Sequence, residues 1–146
     1  MTRATDSSTG APPLVDLLDR AGLTGRGGAA FATGIKVRAA LEHDADLIVN
    51  ACDGELGAAK DAWVVAAHLP ELVAGAALVA PGKRRTIWYA AHRGSETATR
   101  LGAAGLRVLE APARYVSSEE TSLVSLARGG LARPMTKRAP FVFGGT

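Results

Sequence analysis

A glycine-rich run at residues 24–34 is suited to contact a ligand through its backbone. It contains Gly25, Gly27, Gly28 and Gly34, which lack the Cβ atom that would keep a ligand away from backbone amides. A helix is predicted to follow at about residues 35–42. Its N-terminus favours an anion, and Lys36 adds a positive charge within reach of a phosphate. The spacing matches neither the P-loop nor the Rossmann dinucleotide pattern. The residues alone leave two interpretations open, a nucleotide-like ligand and a structural turn.

Polar residues that could bind a ligand or react also lie in two other segments, 50–57 and 115–121. Cys52, in the first of these segments, is expected to be a small buried residue rather than a reactive thiol, since free cysteine packs as a hydrophobe. In the second segment Ser117 and Glu120 stand three residues apart, which matches a capping box at the start of a helix. Glu119 and Glu120 would be favoured there by the helix dipole alone. A structural role and a ligand-binding role therefore both remain open for this pair.

The elements that must position these residues alternate along the chain. Short apolar runs predict strands, and longer amphipathic segments predict helices, one of them interrupted near Pro70. The strands are predicted at residues 47–51, 86–90 and 106–109, and the helices at 13–21, 35–42, 58–80, 96–104 and about 117–128. Strands that alternate with helices indicate an α/β fold around a parallel sheet. Trp63 and Trp88 are expected in its core.

The length and composition indicate one soluble globular domain. The chain has 146 residues, a net charge of +3 and 5% aromatic residues. It lacks the concentrated basic face and the stacking platforms of a nucleic-acid-binding protein. Residues 1–12 are expected to form a flexible leader and residues 13–146 a single domain. The mild positive charge suits an acidic protein partner or an anionic cofactor.

The cysteine and histidine content limits which cofactors the chain can hold and indicates its cellular compartment. One cysteine forms no internal disulfide and cannot hold an iron–sulfur cluster. The single cysteine, together with the lack of a visible signal peptide, favours a cytoplasmic protein. The apolar stretch at 62–81 contains His68, Pro70 and Glu71, which argues against membrane insertion. The three histidines are widely separated along the chain, so no metal site is predicted.

Four ordered blocks make the chain resemble the flavin-binding, F-type subunits of NADH-quinone oxidoreductase, or respiratory complex I. This family is related to NAD-linked hydrogenases and formate dehydrogenases. The blocks are residues 25–36 (Gly-Arg-Gly-Gly-Ala-Ala-Phe-Ala-Thr-Gly-Ile-Lys), 49–57 with Lys60-Asp61 (similar to Asn-Ala-Asp-Glu-Gly-Glu-Pro-Gly), 115–121 (similar to Tyr-Ile-Cys-Gly-Glu-Glu-Thr) and 137–141 (similar to Lys-Pro-Pro-Phe). The resemblance covers nearly the whole chain, but only the nucleotide-binding part of the family.

The resemblance implies a Rossmann-like fold that binds FMN, with NAD(H) as a co-substrate that reduces it. Phe31 and Phe141 would match aromatic residues that stack on the NADH adenine, and Asp53 and Glu55 would also contact the pyridine nucleotide. The implied cofactor-binding residues are Gly25, Arg26, Gly27, Gly28, Lys36, Asn50, Asp53, Glu55, Tyr115, Ser118, Glu119 and Glu120.

Several positions depart from the family pattern. Cys52 replaces an aspartate, Asp53 replaces a glutamate, and Ser118 replaces the glycine that precedes the Glu-Glu pair. Ala39 stands where the family has another aromatic residue that stacks on NADH. The family's later domains and its cluster-binding cysteines are not found in this sequence.

These features lead to the expectation of a small FMN-binding electron-transfer protein with oxidoreductase function. Its electrons would pass to or from a separate iron–sulfur protein such as a ferredoxin. An exposed edge of the fold would favour a homo- or hetero-oligomer. A different class of function also fits, a degenerate non-catalytic component that serves as a binding module in a redox complex. A small protein that binds another nucleotide is a third interpretation.

Overall fold

The computed structural model describes residues 13–25, 30–55, 57–81 and 84–136. The expected leader at 1–12, the site residues Arg26, Gly27 and Gly28, and Phe141 all lie outside the described residues. The chain divides into two compact units, residues 1–38 and residues 39–146. The prediction of one domain over 13–146 stays a prediction.

The described part of the first unit is built from two helices and a short paired segment. Helix α1 (Leu14–Arg20) buries Val15, and helix α2 begins at Thr33 and ends at Glu42. Between them the backbone pairs through an isolated antiparallel bridge between Thr24 and Ala32. Close packing fixes the start of α2, because a Cβ atom on Gly34 would lie 1.9 Å from a carboxylate oxygen of Asp19.

The second unit is an α/β structure with a parallel sheet. Its described residues form three strands, β1 (Leu47–Asn50), β2 (Ile87–His92) and β3 (Val108–Ala111), in the order β1-β2-β3. The remaining elements are α3 (Lys60–Ala67), α4 (Leu69–Val79), α5 (Glu96–Ala103), a 3₁₀ turn (Tyr115–Ser118) and α6 (Glu120–Ala127). The predicted α/β fold with a small parallel sheet and Rossmann-like layers is confirmed.

Alternating strand residues divide the core between the two faces of the sheet. Val49, Tyr89 and Ala91 pack on one face, and Ile48 and Ala90 pack on the other. This alternation follows from the two-residue period of a strand. The first face is covered by residues of α3, α4 and α5, including Val65, Ala76, Ala98 and Leu101. The second face is covered by α6 through Leu123, Leu126 and Ala127, with Cys52 among them.

Most predicted elements are found, with informative differences. The predicted helix at 58–80 is two helices, and Pro70 takes the second position of α4, where a missing N–H costs no helical hydrogen bond. Strand β3 begins at Val108, two residues later than predicted. Trp63 was expected in the core, but it is 60% exposed on α3. Its ring lies against His68, with 4.7 Å between the ring centroids.

The predicted capping box of Ser117 and Glu120 is wrong. Residues 115–118 form a 3₁₀ turn, so α6 begins after it and its N-cap is Glu119. Ser117 lies inside that turn, fully buried, and its hydroxyl finds no hydrogen-bond partner among the described residues.

Among the described residues no single helix is both long enough and apolar enough to cross a bilayer. Helices α3 and α4 reach that length and composition only as a pair, across a bend of 99°.

Candidate functional site

In the first unit, three predicted site residues lie close together. The amide of Gly25 donates to the carbonyl oxygen of Phe31 over 2.9 Å. The Lys36 ammonium lies 5.5 Å from the centre of the Phe31 ring, a cation–π arrangement. It also lies 3.9 Å from the point that a Cβ atom on Gly25 would occupy. The glycine position is therefore bordered by a positive charge, an arrangement suited to an anionic group.

In the second unit, a cleft of about 330 Å³ opens where the chain leaves β1 and where it leaves β3. The carboxyl ends of parallel strands are a common place for ligands in α/β folds. Its lining comes from the loop after β1, the start of α3 and the 3₁₀ turn. The lining residues are Asn50, Gly54, Glu55, Ala58, Lys60, Asp61, Tyr115, Ser118 and Glu119.

Asn50, the last residue of β1, connects the two sides of the cleft. Its amide nitrogen donates to the backbone oxygen of Ser118 over 2.9 Å. Its amide oxygen accepts from the backbone N–H of Cys52 over 3.2 Å. One N–H of the amide and further acceptor capacity on its oxygen are not used by these two bonds.

Gly54 and Ser118 approach each other so closely that a side chain at position 54 would force Ser118 to shift. A Cβ atom on Gly54 would lie 2.3 Å from the Ser118 hydroxyl oxygen and 3.3 Å from its Cβ. The Ser118 hydroxyl itself donates to the carbonyl oxygen of Tyr115 over 3.1 Å. The serine that replaces the family glycine is therefore accommodated by a glycine on the opposite wall.

Asp53 and Asp61 bond each other reciprocally at the start of α3. The two carboxylate oxygens of Asp53 accept from the backbone N–H groups of Asp61 and Ala62, over 2.9 and 2.8 Å. A carboxylate oxygen of Asp61 accepts from the backbone N–H of Asp53 over 3.0 Å. Asp53 adopts a φ of 46°, in the left-handed region that a non-glycine residue rarely occupies. Its carboxylate caps a helix, and Asp53 is not among the residues that line the cleft.

Glu119 caps α6 in the same manner while it lines the cleft. One of its carboxylate oxygens accepts from the backbone N–H groups of Thr121 and Ser122, over 2.8 and 3.2 Å, and from the Thr121 hydroxyl. That hydroxyl in turn accepts from the backbone N–H of Met135 over 2.7 Å. Glu120 is exposed and not among the residues that line the cleft.

The charged groups that line the cleft are mostly acidic. Glu55, Asp61 and Glu119 carry negative charge, and Lys60 is the one cation among the described lining residues. The Lys60 ammonium donates to Asp61 over 2.6 Å. This hydrogen bond, with attraction from Asp61, Asp53 and Glu55, raises the pKa of Lys60, although partial burial lowers it.

Burial raises the pKa of the nearby Cys52 thiol to about 11, with Asp61 and Asp53 adding to the shift. The prediction that Cys52 is a small buried residue is confirmed.

The cleft fits a ligand that carries hydroxyl groups and a ring edge with both donors and acceptors. Asn50 and Lys60 offer donors, the Ser118 hydroxyl oxygen offers an acceptor, and Glu55 and Glu119 offer carboxylate acceptors. The volume is at the small end of the range for ligand pockets. This donor and acceptor set is compatible with the ribityl hydroxyls and ring edge of FMN. The excess of carboxylates does not suit a phosphate group.

Of the predicted site residues, the structure brings Asn50, Glu55, Tyr115, Ser118 and Glu119 together in the cleft. Sequence reasoning missed four lining residues as site residues: Gly54, Ala58, Lys60 and Asp61. All but Ala58 belong to the second resembling block, and that membership was the available signal. Among the residues that the structure describes, no three His, Cys, Asp or Glu side chains are grouped to hold a metal ion.

Comparison with known proteins bears on the cofactor. The model of the Nuo51 FMN-binding domain family matches residues 18–144. Two similar curated proteins are the F subunits of NADH-quinone oxidoreductase in Buchnera aphidicola subsp. Acyrthosiphon pisum and in Buchnera aphidicola subsp. Schizaphis graminum. Each is 28% identical to the chain over 90% of its length. The chain spans 36% of the length of each, about a third.

A third similar protein covers less of the chain. The C subunit of the ion-translocating oxidoreductase complex in Edwardsiella ictaluri is 34% identical over 68 residues, which are 47% of this chain and 8% of that protein. The order of the resembling blocks, the α/β fold and the match over residues 18–144 agree with one another. The chain belongs to the Nuo51 FMN-binding domain family.

Proposed function

We propose that the chain is an FMN-binding electron-transfer protein and that the cleft beside Asn50 contacts the flavin. The observation that carries this proposal is the convergence of two separate sequence blocks on one cleft, with Asn50 and Glu55 on one side and Tyr115, Ser118 and Glu119 on the other. Membership of an FMN-binding domain family supports the identity of the cofactor. A bound flavin would supply the redox chemistry, and the protein would bind and orient it.

Visible absorption of the purified protein tests this proposal. We expect a yellow protein that releases FMN on denaturation and loses its colour on reduction with dithionite. An apoprotein that shows no quenching of flavin fluorescence when titrated with FMN would contradict the proposal.

A pair of variants tests the location of the flavin. Ala58→Phe fills the cleft with an aromatic ring and should weaken FMN binding at least tenfold, about 1.4 kcal/mol. Ala103→Phe places the same ring on an exposed position at the end of α5 and should leave binding unchanged. Equal affinities of the two variants would place the flavin elsewhere.

We further propose that the flavin exchanges electrons with a separate iron–sulfur protein, such as a ferredoxin. These 146 residues contain one cysteine, which is too few for the four cysteine-type ligands of a cluster, so a cluster that exchanges electrons with the flavin would lie outside them. Similar proteins are named as subunits of oxidoreductase complexes. The net charge of +3 favours association with an acidic partner. We expect reduced ferredoxin to reduce the flavin faster at low salt than at high salt. No electron transfer at either salt concentration would contradict this part.

NAD(H) as a co-substrate and a cytoplasmic location are part of the same proposal. Phe31 and Phe141 are the residues proposed to contact the adenine. Anaerobic addition of NADH to the flavin-loaded protein tests the co-substrate directly, because reduction bleaches the flavin. Persistent colour under these conditions would remove NADH from the proposal and leave FMN binding intact.

A degenerate, non-catalytic binding component of a redox complex is the second candidate. It is favoured by the Ser118 side chain, which occupies the cleft wall where the family has glycine, and by the Asp53 carboxylate, which caps α3. A colourless, folded protein that takes up no FMN but forms a stable complex with redox-complex subunits would support this candidate.

A further inference from the structure

Lys60 differs from the other charged residues of the cleft. It is the one cation among the described lining residues, where Glu55, Asp61 and Glu119 contribute negative charge. An acidic cleft opposes the accumulation of further negative charge on a ligand, and a single ammonium group reduces that opposition.

The position of Lys60 is not explained by helix stability. It is the first residue of α3, where the helix dipole disfavours a cation. The side chain is 77% exposed, so an ion pair with Asp61 contributes little to stability by itself. A role in ligand binding would explain why a cation lies at this position, whereas the stability of the fold does not explain it.

The ammonium group is nevertheless held in place. It donates to one carboxylate oxygen of Asp61 over 2.6 Å, and the other oxygen of Asp61 accepts from the backbone N–H of Asp53 over 3.0 Å. Because Asp61 is fixed by this second bond, the charge of Lys60 is kept at the cleft wall. Two further donor hydrogens of the ammonium group are available for a ligand.

We propose that Lys60 contacts the flavin and stabilises its reduced form electrostatically, which raises the midpoint potential. This inference rests on the proposed function. Two-electron reduction adds two electrons and one proton to the neutral ring system, which leaves one negative charge on it. The ammonium group attracts that charge more strongly than it attracts the uncharged oxidised ring. Lys60 therefore favours the reduced form over the oxidised form.

The test compares Lys60→Gln and Lys60→Arg with the full-length wild-type protein, each loaded with FMN. The midpoint potential is measured by reduction with dithionite in the presence of a reference dye, and the affinity for oxidised FMN by fluorescence. We expect Lys60→Gln to lose about tenfold in its preference for reduced over oxidised flavin. For a two-electron couple this lowers the potential by about 30 mV. Lys60→Arg keeps the charge and should stay near the wild-type potential.

Arg100→Gln is the matched control. Arg100 is paired with Glu96 on the exposed side of α5, so this variant removes the same charge at a site that does not line the cleft. Its potential should equal that of the wild type. The thermal midpoint of Lys60→Gln should remain within about 3 °C of the wild type, because surface substitutions change stability little.

The outcomes separate this inference from the proposed function. A wild-type protein that takes up no FMN overturns both. A wild-type protein that binds FMN, with Lys60→Gln at the same potential as Arg100→Gln, overturns only the role of Lys60. Equal shifts in Lys60→Gln and Arg100→Gln would show a general effect of net charge and would also overturn it.

Discussion

The glycine-rich segment and the cleft present polar groups to a ligand in opposite ways. Beside Gly25 the charge contributed by the described residues is the exposed ammonium of Lys36, 3.9 Å from the point that a Cβ atom on Gly25 would occupy. In and beside the cleft, the carboxylates of Asp53 and Glu119 accept hydrogen bonds from backbone N–H groups at the starts of helices, and the Asp61 carboxylate accepts from the backbone N–H of Asp53.

The two proposed binding regions therefore differ in whether their polar groups also stabilise the fold. In the glycine-rich segment, a substitution should affect the ligand and leave stability intact. In and beside the cleft, Glu119 and Asp53 cap helices, so a substitution there should affect both. Variants in the two regions can therefore test whether binding and stability are coupled.

The largest effect is expected for Asp53→Ala, which removes both acceptors at the N-terminus of α3. The backbone N–H groups of Asp61 and Ala62 lose their partner, and alanine is less tolerant of the φ of 46°. We expect the free energy of unfolding to fall by about 2–4 kcal/mol. Urea unfolding followed by circular dichroism measures this loss.

Asp53→Asn is the matched control for this prediction. Asparagine keeps one side-chain acceptor and tolerates the left-handed conformation better than alanine does. Its loss of stability should be less than half that of Asp53→Ala. Two variants with unchanged stability would mean that the Asp53 carboxylate is free for a ligand, and the contrast between the regions would disappear.

The next largest effect is expected from the Cys52 thiol, whose titration should make the free energy of unfolding depend on pH. Burial raises the pKa of its thiol from 9.0 to about 11, with smaller contributions from Asp61 and Asp53. The folded state therefore holds the proton more tightly than the unfolded state does. This contribution is complete below pH 9 and is lost as the pH rises to 11. The expected loss is about 2–3 kcal/mol, since one pKa unit corresponds to about 1.4 kcal/mol.

Cys52→Ala isolates this contribution, because other groups also titrate at high pH. The pKa values of Lys60 and Tyr89 are raised too, and their effects remain in the variant. The difference in unfolding free energy between the two proteins should shrink steadily from pH 9 to pH 11. A constant difference over that range would show that the thiol is accessible to water.

The next effect is expected at the contact between Gly54 and Ser118. Gly54→Ala places a methyl group against the Ser118 hydroxyl, and the resulting overlap should cost about 1–3 kcal/mol of stability. Ser118→Gly removes the obstacle, so the double variant should recover most of the loss. A double-mutant cycle measures the coupling. Additive losses would mean that the two walls of the cleft do not touch.

Much of the fold could be predicted because its signals are local. The apolar runs that became β1 and β2 are short and continuous, as expected of strands covered on both faces. The start of α6 was missed because Ser117 and Glu120 have the spacing of a capping box, whereas a 3₁₀ turn occupies residues 115–118. The exposure of Trp63 was missed because composition does not show which face of α3 is buried.

The residues of the site could be predicted better than their roles. Asn50, Glu55 and Ser118 were identified from resembling blocks, and they do line one cleft. The capping role of Asp53 depends on a contact with a helix that begins seven residues later, and on a left-handed backbone at Asp53 itself. Neither feature leaves a pattern in the sequence.

The smallest effect on stability is expected in the glycine-rich segment. At Gly25 an added Cβ would lie no closer than 3.7 Å to an atom of the described residues, and the backbone lies outside the left-handed region. Gly25→Ala should therefore change the free energy of unfolding by less than about 0.5 kcal/mol. If a ligand approaches this backbone, the same methyl group should weaken FMN binding about tenfold, or about 1.4 kcal/mol.

Gly75→Ala is the matched control, since it adds the same methyl group inside α4, where no atom of the described part of the chain lies within 4 Å. It should raise stability by about 0.5–1 kcal/mol, as alanine does in a helix, and leave the affinity for FMN unchanged. If Gly25→Ala weakens FMN binding at unchanged stability, and Gly75→Ala raises stability at unchanged FMN affinity, then the glycine-rich segment contributes to ligand binding and not to stability. An unchanged affinity in Gly25→Ala would instead leave the cleft as the region that carries flavin recognition, because the open backbone would then contact no part of the cofactor.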